Sequence, residues 1–148
     1  MTVSGQLKYQ YKEKVHFIAK GNYYMYSPAT HPTDAITFDK PYHKPNFDLT
    51  LSSIYNLKSK IILKGDIFVI GNQWALTQNF DNTTSKYVLT SKLLNNIVDV
   101  NLGAEYRYSK FLSFFTTFNN LANMRYYRWE RYPTQRFSFM LGVTFIPF

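Results

Sequence analysis

The carboxylates and histidines of this chain are too widely spaced to form a site of acid–base or metal chemistry. Asp99 and Glu105 lie on one alternating segment and would be roughly 20 Å apart at the rise of a β-strand, too far for two carboxylates to act on one bond. His16, His31 and His43 are isolated from one another, and cysteine is absent. The sequence also has no Gly-rich phosphate loop and no nucleophile elbow. It therefore predicts no enzyme, no metal site and no cofactor.

One segment interleaves arginines with aromatic residues, a combination that suits ligand binding. It reads RYYRWERY from Arg125 to Tyr132. Arginine and aromatic side chains can stack on bases or sugars, but the same side chains can instead pack one loop against its neighbours. The sequence leaves both uses open and favours the packing. The residues that could contact a ligand are Arg125, Arg128, Trp129 and Arg131.

The net charge of +8 would suit nucleic acid or another anionic surface. The basic residues are scattered, however, and several fall in tight turns, where a lysine is simply solvated. We therefore predict no nucleic-acid partner. The high aromatic content of 19 % favours strands, which accommodate such rings on a pleated surface.

Long segments of the chain alternate between apolar and polar residues, as a two-faced strand requires. In VDVNLGAEYRY, Val98 to Tyr108, one face is almost entirely apolar and the other is almost entirely polar. No apolar run is long enough for a transmembrane helix. The question is whether the apolar face meets the core of a soluble sandwich or meets lipid.

Three hairpins share one plan: an alternating strand, a short turn, and a second strand in the same phase. The turns are KEK, KSK and SKF, and a turn of odd length keeps the apolar face on one side of the sheet. This predicts antiparallel pairing of Tyr9 with Phe17, Tyr55 with Leu63, and Tyr106 with Phe114. A seventh strand follows from Phe137 to Phe145.

The connections at the opposite end of these strands are long. They run from Ser27 to Asn46, from Gln73 to Asn95 and from Leu121 to Gln135. Short turns at one end and long loops at the other are typical of outer-membrane barrels, and strands of about 11 residues suit a tilted bilayer span. The predicted fold class is therefore all-β, an antiparallel transmembrane β-barrel segment of about seven strands.

Aromatic residues near both strand ends suit the two membrane interfaces, and the polar face would then line a lumen. Tyr9, Tyr11, Tyr55, Tyr106 and Tyr108 lie beside the short turns, with Tyr23, Trp74 and Phe118 toward the long loops. The candidate lumen-facing residues are His16, Lys20, Asp48, Lys64, Asp66, Asp99, Asn101, Glu105 and Arg107.

The last third of the chain, FNNLANMRYYRWERYPTQRFSFMLGVTF, resembles the C-terminal strands of TonB-dependent outer-membrane receptors, particularly those of the Bacteroidetes branch. Asn120, Leu121, Asn123 and Tyr126 fit an Asn-Leu-x-Asn-x-x-Tyr pattern that precedes the last strand in that family. Phe148 fits the aromatic end that the outer-membrane assembly machinery recognises.

This resemblance implies a barrel of about 22 strands with a plugged lumen. Residues 1–148 would be the C-terminal portion of its barrel domain, without the plug domain and the TonB box. It implies a location in the outer membrane of a Gram-negative bacterium, in contact with membrane lipid and lipopolysaccharide. The function implied is import of an iron chelate, cobalamin, oligosaccharide or peptide, energised by a TonB-type transducer.

Seven strands leave two alternatives, because bacterial single-chain barrels have an even number. One strand could remain unrecognised, Lys86 to Leu94 being a candidate, or the chain could be the terminal piece of a larger barrel, which we favour. A stand-alone small barrel with a structural or adhesive role is the competing function. A soluble lipid-binding barrel is the third hypothesis.

Overall fold

Antiparallel strands account for most of the computed structural model, which describes residues 1–27, 40–83 and 85–147. None of the described residues forms a helix of the length and apolarity needed to cross a membrane. The strands, in chain order, are β1 (Thr2–Tyr11), β2 (Val15–Tyr24), β3 (Phe47–Leu57), β4 (Ile61–Ile70), β5 (Gln73–Asp81), β6 (Lys86–Leu94), β7 (Ile97–Arg107), β8 (Leu112–Asn119), β9 (Tyr127–Trp129), β10 (Tyr132–Pro133) and β11 (Ser138–Phe145).

Seven of these strands form one sheet in the order β1-β2-β3-β4-β7-β8-β11. Every neighbouring pair is antiparallel, and each strand of this sheet lies next to the strand of the same sheet that follows it along the chain. The three predicted registers are confirmed: Tyr9 pairs with Phe17, Tyr55 with Leu63, and Tyr106 with Phe114. The predicted seven-stranded antiparallel fold is therefore confirmed, although the sheet is not closed on itself.

The apolar phase is continuous across the whole sheet. Val15 lies opposite Tyr55 and Leu63 lies opposite Ala104, so hairpins that are not joined by a short turn are also in phase. At the last pairing, Val143 lies opposite Phe114. We call this side of the sheet the outer face and the opposite, mostly polar side the inner face.

Among the described residues, no second layer covers the outer face. Leu7 is 62 % exposed, Leu102 is 49 % exposed and Leu141 is 70 % exposed. The buried apolar side chains of the described residues are few and lie mainly near the long loops: Ile62, Ala75, Leu94, Ile97 and Tyr126. The apolar side chains of the sheet therefore have no protein core to pack against within the described chain.

Two small hairpins occupy connections that the sequence predicts as long loops. Lys86–Leu94 does form a strand, but it pairs with β5 in a separate two-stranded sheet and does not join the seven. β9 and β10 form a second small hairpin within the connection before β11. The candidate strand Lys86–Leu94 therefore exists but adds no eighth strand to the main sheet, for which the predicted number of seven is correct.

The third short turn is longer than its sequence predicts. Arg107 pairs with Ser113, which leaves residues 108–112 between the paired positions. The side chain of Ser109 accepts hydrogen bonds from the backbone N–H groups of Phe111 and Leu112 at 3.2 and 3.1 Å. These bonds satisfy two turn donors, so the wider turn still leaves β7 and β8 in phase.

Candidate functional site

The inner face carries all nine residues that the sequence assigns to a lumen. The cross-strand registers link them in rows: Lys20 lies opposite Thr50, and Asp66 lies opposite both Ser52 and Asn101. Since Cβ atoms alternate along a strand, residues in one such row share a face. The predicted division into two faces is correct, whereas a contact of these residues with cargo stays a prediction.

Three of the four acidic members of this set, Asp48, Asp99 and Glu105, are engaged in contacts within the chain. Asp48 accepts hydrogen bonds from the Asn22 amide at 2.7 Å and from the Tyr24 hydroxyl at 2.6 Å. The Arg107 guanidinium donates to Glu105 at 3.0 Å. These contacts join β2 to β3 and order the side chains at the short-turn end of β7.

Four candidates remain open on the inner face: His16, Lys20, Lys64 and Asp66. Within the described residues, none of them has a hydrogen bond or an ion pair to another side chain. Lys20 and Lys64 are exposed, and His16 and Asp66 are partly exposed. These side chains are the ones free to contact a molecule that occupies the space beside the inner face.

Asn120 organises the loop that precedes the last strand. It is 3 % exposed, and its amide nitrogen donates to the carbonyls of Met124 at 2.8 Å and Gln135 at 3.2 Å. Its amide oxygen accepts from the Met124 N–H at 3.1 Å. One buried amide therefore ties both ends of the loop together.

The other motif residues anchor the same loop. The backbone N–H of Asn120 donates to the Asn101 side chain at 3.0 Å, and the Asn123 side chain accepts from the Phe137 N–H at 3.4 Å. Asn120 and Asn123 both adopt positive φ angles of about 50°, which asparagine tolerates better than most residues. Leu121 is 38 % exposed and contributes its backbone N–H, which donates to the Val100 carbonyl at 2.8 Å. The hydrogen bonds of these motif residues therefore hold the loop closed.

Tyr126 joins this loop to the inner face. Its hydroxyl donates to the Asp99 carboxylate at 2.5 Å, and its side chain is 8 % exposed. Burial, followed by the hydrogen bond to Asp99 and the charge of that carboxylate, raises the pKa of Tyr126 above its usual value. The loop therefore folds inward over the sheet, and Asp99 and Asn101 act as its anchors.

Aromatic and cationic side chains gather where the long connections meet. We call residues 40–46, 73–94 and 120–137 the loop cluster. The Lys40 ammonium lies 3.5 Å from the centroid of the Trp74 ring. The His43 ring lies 4.6 Å from that of Trp129, and the His43 N–H donates to the Trp74 carbonyl at 2.7 Å. Trp74 thus packs among loops, and its predicted place in an interfacial belt was wrong.

The arginine-rich segment packs against its neighbours, which was the use favoured from sequence. Glu130 forms an ion pair with Lys92 of β6 at 3.1 Å, and Arg131 donates to the Gln78 carbonyl of β5 at 3.3 Å. Arg125 lies over the Tyr127 ring at 5.7 Å. Arg128 and Trp129 remain exposed. These two therefore stay the better candidates for contact with a ligand.

A groove opens on the inner face at the short-turn end. Its volume is about 890 Å³, and its charged lining consists of Lys60, Lys64, Glu105, Arg107 and Lys110. Four cations and one carboxylate give the groove a net positive charge.

The described residues contain no group of three or more histidine or acidic side chains that could hold a metal ion. The predicted assembly signal at Phe148 and the histidine His31 lie outside the described residues.

Comparison with solved structures identifies the architecture. The ferripyoverdine receptor of the outer membrane of Pseudomonas aeruginosa, solved with ferripyoverdine bound, has a TM-score of 0.70 at 16 % identity, and the match covers 96 % of this chain and 19 % of that one. The FpvAI–pyocin S2 complex has a TM-score of 0.72 at 16 % identity, covering 96 % and 18 %. The pyoverdine receptor FpvA from strain PAO1 is similar over 97 % of this chain and 20 % of its own.

The fold is that of an outer-membrane receptor barrel. The chain spans about a fifth of the length of these TonB-dependent receptors. No protein-family model matches it, and no curated protein sequence matches it. The receptors found come from Pseudomonas aeruginosa, so the narrower resemblance to the Bacteroidetes branch has no support.

The Asn120 contacts lead to a prediction about loop stability. Replacing Asn120 with Ala leaves three backbone groups of Met124 and Gln135 without their partner, and we expect a loss of about 2–4 kcal/mol of local stability. Hydrogen exchange of the amides in residues 121–137 measures this loss. Asn119→Ala is the matched control, because the exposed Asn119 side chain makes one long contact of 3.4 Å to Ser138. Equal exchange in the two variants would contradict the role of Asn120.

The raised pKa of Tyr126 leads to a second prediction. The contribution of the neutral phenol to stability is fully present below the ordinary tyrosine pKa of about 10 and is lost as the pH rises through the higher folded-state pKa. Subtracting the tyrosinate absorbance of Tyr126→Phe from that of the wild type isolates this one residue among 13 tyrosines. We expect its midpoint above 10. A midpoint at or below 10 would show that the contact with Asp99 is not formed.

Proposed function

We propose that residues 1–148 form the C-terminal part of the barrel wall of a TonB-dependent receptor in the outer membrane of a Gram-negative bacterium. The observation that carries this proposal is a seven-stranded sheet with an uncovered apolar face and the fold of an outer-membrane receptor barrel. The receptor would import a small nutrient. Its plug domain and its contact with the TonB-type transducer would lie elsewhere in the longer chain.

Lipid is the partner that the outer face requires. A monomeric soluble protein rarely exposes a large continuous apolar patch, and here the patch extends from β1 to β11. In a bilayer the same apolar surface would contact lipid hydrocarbon, which is itself apolar. A soluble lipid-binding barrel would turn its apolar face inward, and the inner face of this sheet carries Lys20, Lys64 and Asp66 instead.

The unpaired edges of the sheet favour a segment of a larger barrel rather than a complete small barrel. β1 and β11 lie at opposite ends of the strand order, so each has one row of N–H and C=O groups that no described strand pairs. In hydrocarbon each unsatisfied group costs several kcal/mol. Additional strands must therefore satisfy both edges, and a receptor barrel of about 22 strands supplies them.

The loop cluster suggests where cargo would arrive. Long loops of outer-membrane barrels lie outside the cell and short turns lie in the periplasm. In this orientation Arg128 and Trp129 face the medium, and His16, Lys20, Lys64 and Asp66 line the passage behind the loops. The cargo is a small ligand of a type that the residues of this segment do not specify.

Cysteine labelling tests the location and the orientation together. Residues 1–148 contain no cysteine, so labelling of a single variant above that of the unsubstituted protein reports the substituted site. We expect Asn82→Cys, between β5 and β6, to react on intact cells with a bulky maleimide that cannot cross the outer membrane. Ser59→Cys, between β3 and β4, should react only after the outer membrane is permeabilised. Reaction of both sites on intact cells, or of neither before lysis, would contradict the proposal.

The size of the labelled protein distinguishes a segment from a stand-alone barrel. The sequence alone accounts for 17.5 kDa, and a receptor of which it forms about a fifth would be several times larger. A labelled species of 17.5 kDa with the expected sidedness would favour the small barrel with a structural or adhesive role. A much larger species would favour the receptor.

The lipid-facing assignment predicts an asymmetry between adjacent residues of β3. Arginine at Leu51 would face hydrocarbon, and we expect it to cost about 2–4 kcal/mol of folding free energy in lipid. Arginine at Ser52 would face the lumen and should cost far less. Urea titration of the assembled protein in bilayers measures both values. Equal costs would count against lipid on the outer face.

A further inference from the structure

The three short turns form one continuous rim. The N–H of Asn56 donates to the Lys14 carbonyl at 2.7 Å, which joins the β1–β2 turn to β3. The N–H of Arg107 donates to the Lys60 carbonyl at 2.7 Å, which joins the β3–β4 turn to the end of β7. Since adjacent strands lie about 4.8 Å apart, neighbouring turns lie about 10 Å apart. The backbones of these turns are therefore held in one row.

Five exposed lysines lie on this rim. Lys60 and Lys110 line the inner-face groove, and we call the other three the turn lysines. None of these three forms an ion pair with another described residue. The acid that the turns themselves contribute is Glu13, and the nearby Glu105 is already paired with Arg107. The turn lysines are Lys12, Lys14 and Lys58.

Exposed tyrosines set the depth of this rim. Tyr9 and Tyr55 lie on the outer face within three residues of the turns and are 56 % and 41 % exposed, and Tyr108 in the third turn is 66 % exposed. Tyrosine favours the interface between hydrocarbon and water, where the ring is buried and the hydroxyl is hydrated. With these rings at the interface, the turn lysines, three to five residues beyond Tyr9 or Tyr55, reach the layer of lipid phosphates.

We propose that the turn lysines form a binding rim for anionic phospholipid headgroups in the leaflet on the short-turn side. This inference rests on the proposed membrane location and goes beyond it, because barrel insertion alone needs only an apolar band. An ammonium is a compact charge that suits a phosphate oxygen. Several lysines held in a row would favour a lipid such as phosphatidylglycerol, which has net charge, over phosphatidylethanolamine, which has none.

The aromatic rings beside the turn lysines favour a lipid over a ligand in the lumen. These rings belong to the outer face, as the pairing of Tyr9 with Phe17 and of Tyr55 with Leu63 shows. The Lys12 ammonium lies 5.5 Å from the centroid of the Tyr11 ring, which is on the same face. Lipopolysaccharide also carries phosphates, but in the proposed orientation it lies in the other leaflet. The two lipids can therefore be separated by position.

Fluorescence quenching by brominated lipids tests the proposal. The protein is assembled in its host membrane, labelled at Ser59→Cys and transferred to nanodiscs of phosphatidylethanolamine containing brominated phosphatidylglycerol or brominated phosphatidylethanolamine. We expect stronger quenching by the anionic lipid, and weaker quenching by it at high salt because the charges are screened. The variant Lys12→Gln/Lys14→Gln removes two of the three turn lysines and should lower the preference for phosphatidylglycerol by about fivefold per lysine.

A matched control removes the same charge elsewhere. The double variant Lys8→Gln/Lys86→Gln alters an inner-face residue and a residue of the β5–β6 hairpin. Its preference for phosphatidylglycerol, measured with the probe at position 59, should equal that of the protein with all its lysines. A probe at Asn82 should show no preference for phosphatidylglycerol. Equal quenching by brominated phosphatidylglycerol and brominated phosphatidylethanolamine at position 59 would overturn the inference. An equal loss of the phosphatidylglycerol preference in the two double variants would overturn it as well.

These results can be separated from a failure of the proposed function. If Ser59 does not label from the periplasmic side, the membrane orientation itself is wrong. If Ser59 labels as expected and phosphatidylglycerol shows no preference, the wall assignment stands and only the lipid rim is refuted. Stronger quenching by brominated lipopolysaccharide than by phosphatidylglycerol at Ser59 would also refute it.

Discussion

Cross-strand register is the constraint on which the rest of this structure depends. A strand shifted by one residue would move all its apolar side chains to the inner face, so each of the pairings from β1 to β11 must keep the same phase. Hairpins alone cannot ensure this, because β2 meets β3 and β4 meets β7 across long connections. There the pairs Val15–Tyr55 and Leu63–Ala104 show that the apolar pattern itself sets the register.

Once the phase is fixed, the inner face has to satisfy its own polar groups. Asp48, Glu105 and Asp99 each have a partner in the chain: Asn22 and Tyr24, Arg107, and Tyr126. The acids thus contribute to the architecture, and the free charges that remain are chiefly lysines. These lysines give the short-turn end of the inner face, where the groove lies, a net positive charge.

The wall could be predicted from sequence because its determinants are local. Alternation and an odd turn length specify the pairing of Tyr9 with Phe17 within one hairpin. Trp74 was misplaced because its environment is set by distant residues: Lys40 lies over its ring, and its carbonyl accepts the His43 N–H. The structural role of Asn120 could likewise not be predicted from sequence. Its motif was visible, but Met124 and Gln135 become its partners only when the loop closes.

The two ends of the sheet differ in the contacts that hold their connections. At the short-turn end, neighbouring turns are joined by backbone hydrogen bonds such as that from Asn56 to Lys14, and the Ser109 side chain bonds only within its own turn. At the long-loop end, side chains make the bonds: Asn120 closes one loop and Tyr126 anchors it to Asp99. A loop held by a few side-chain contacts tolerates substitution at exposed positions such as Arg128 and Trp129. The wall beneath it cannot vary in this way, because every strand must stay in phase with the next.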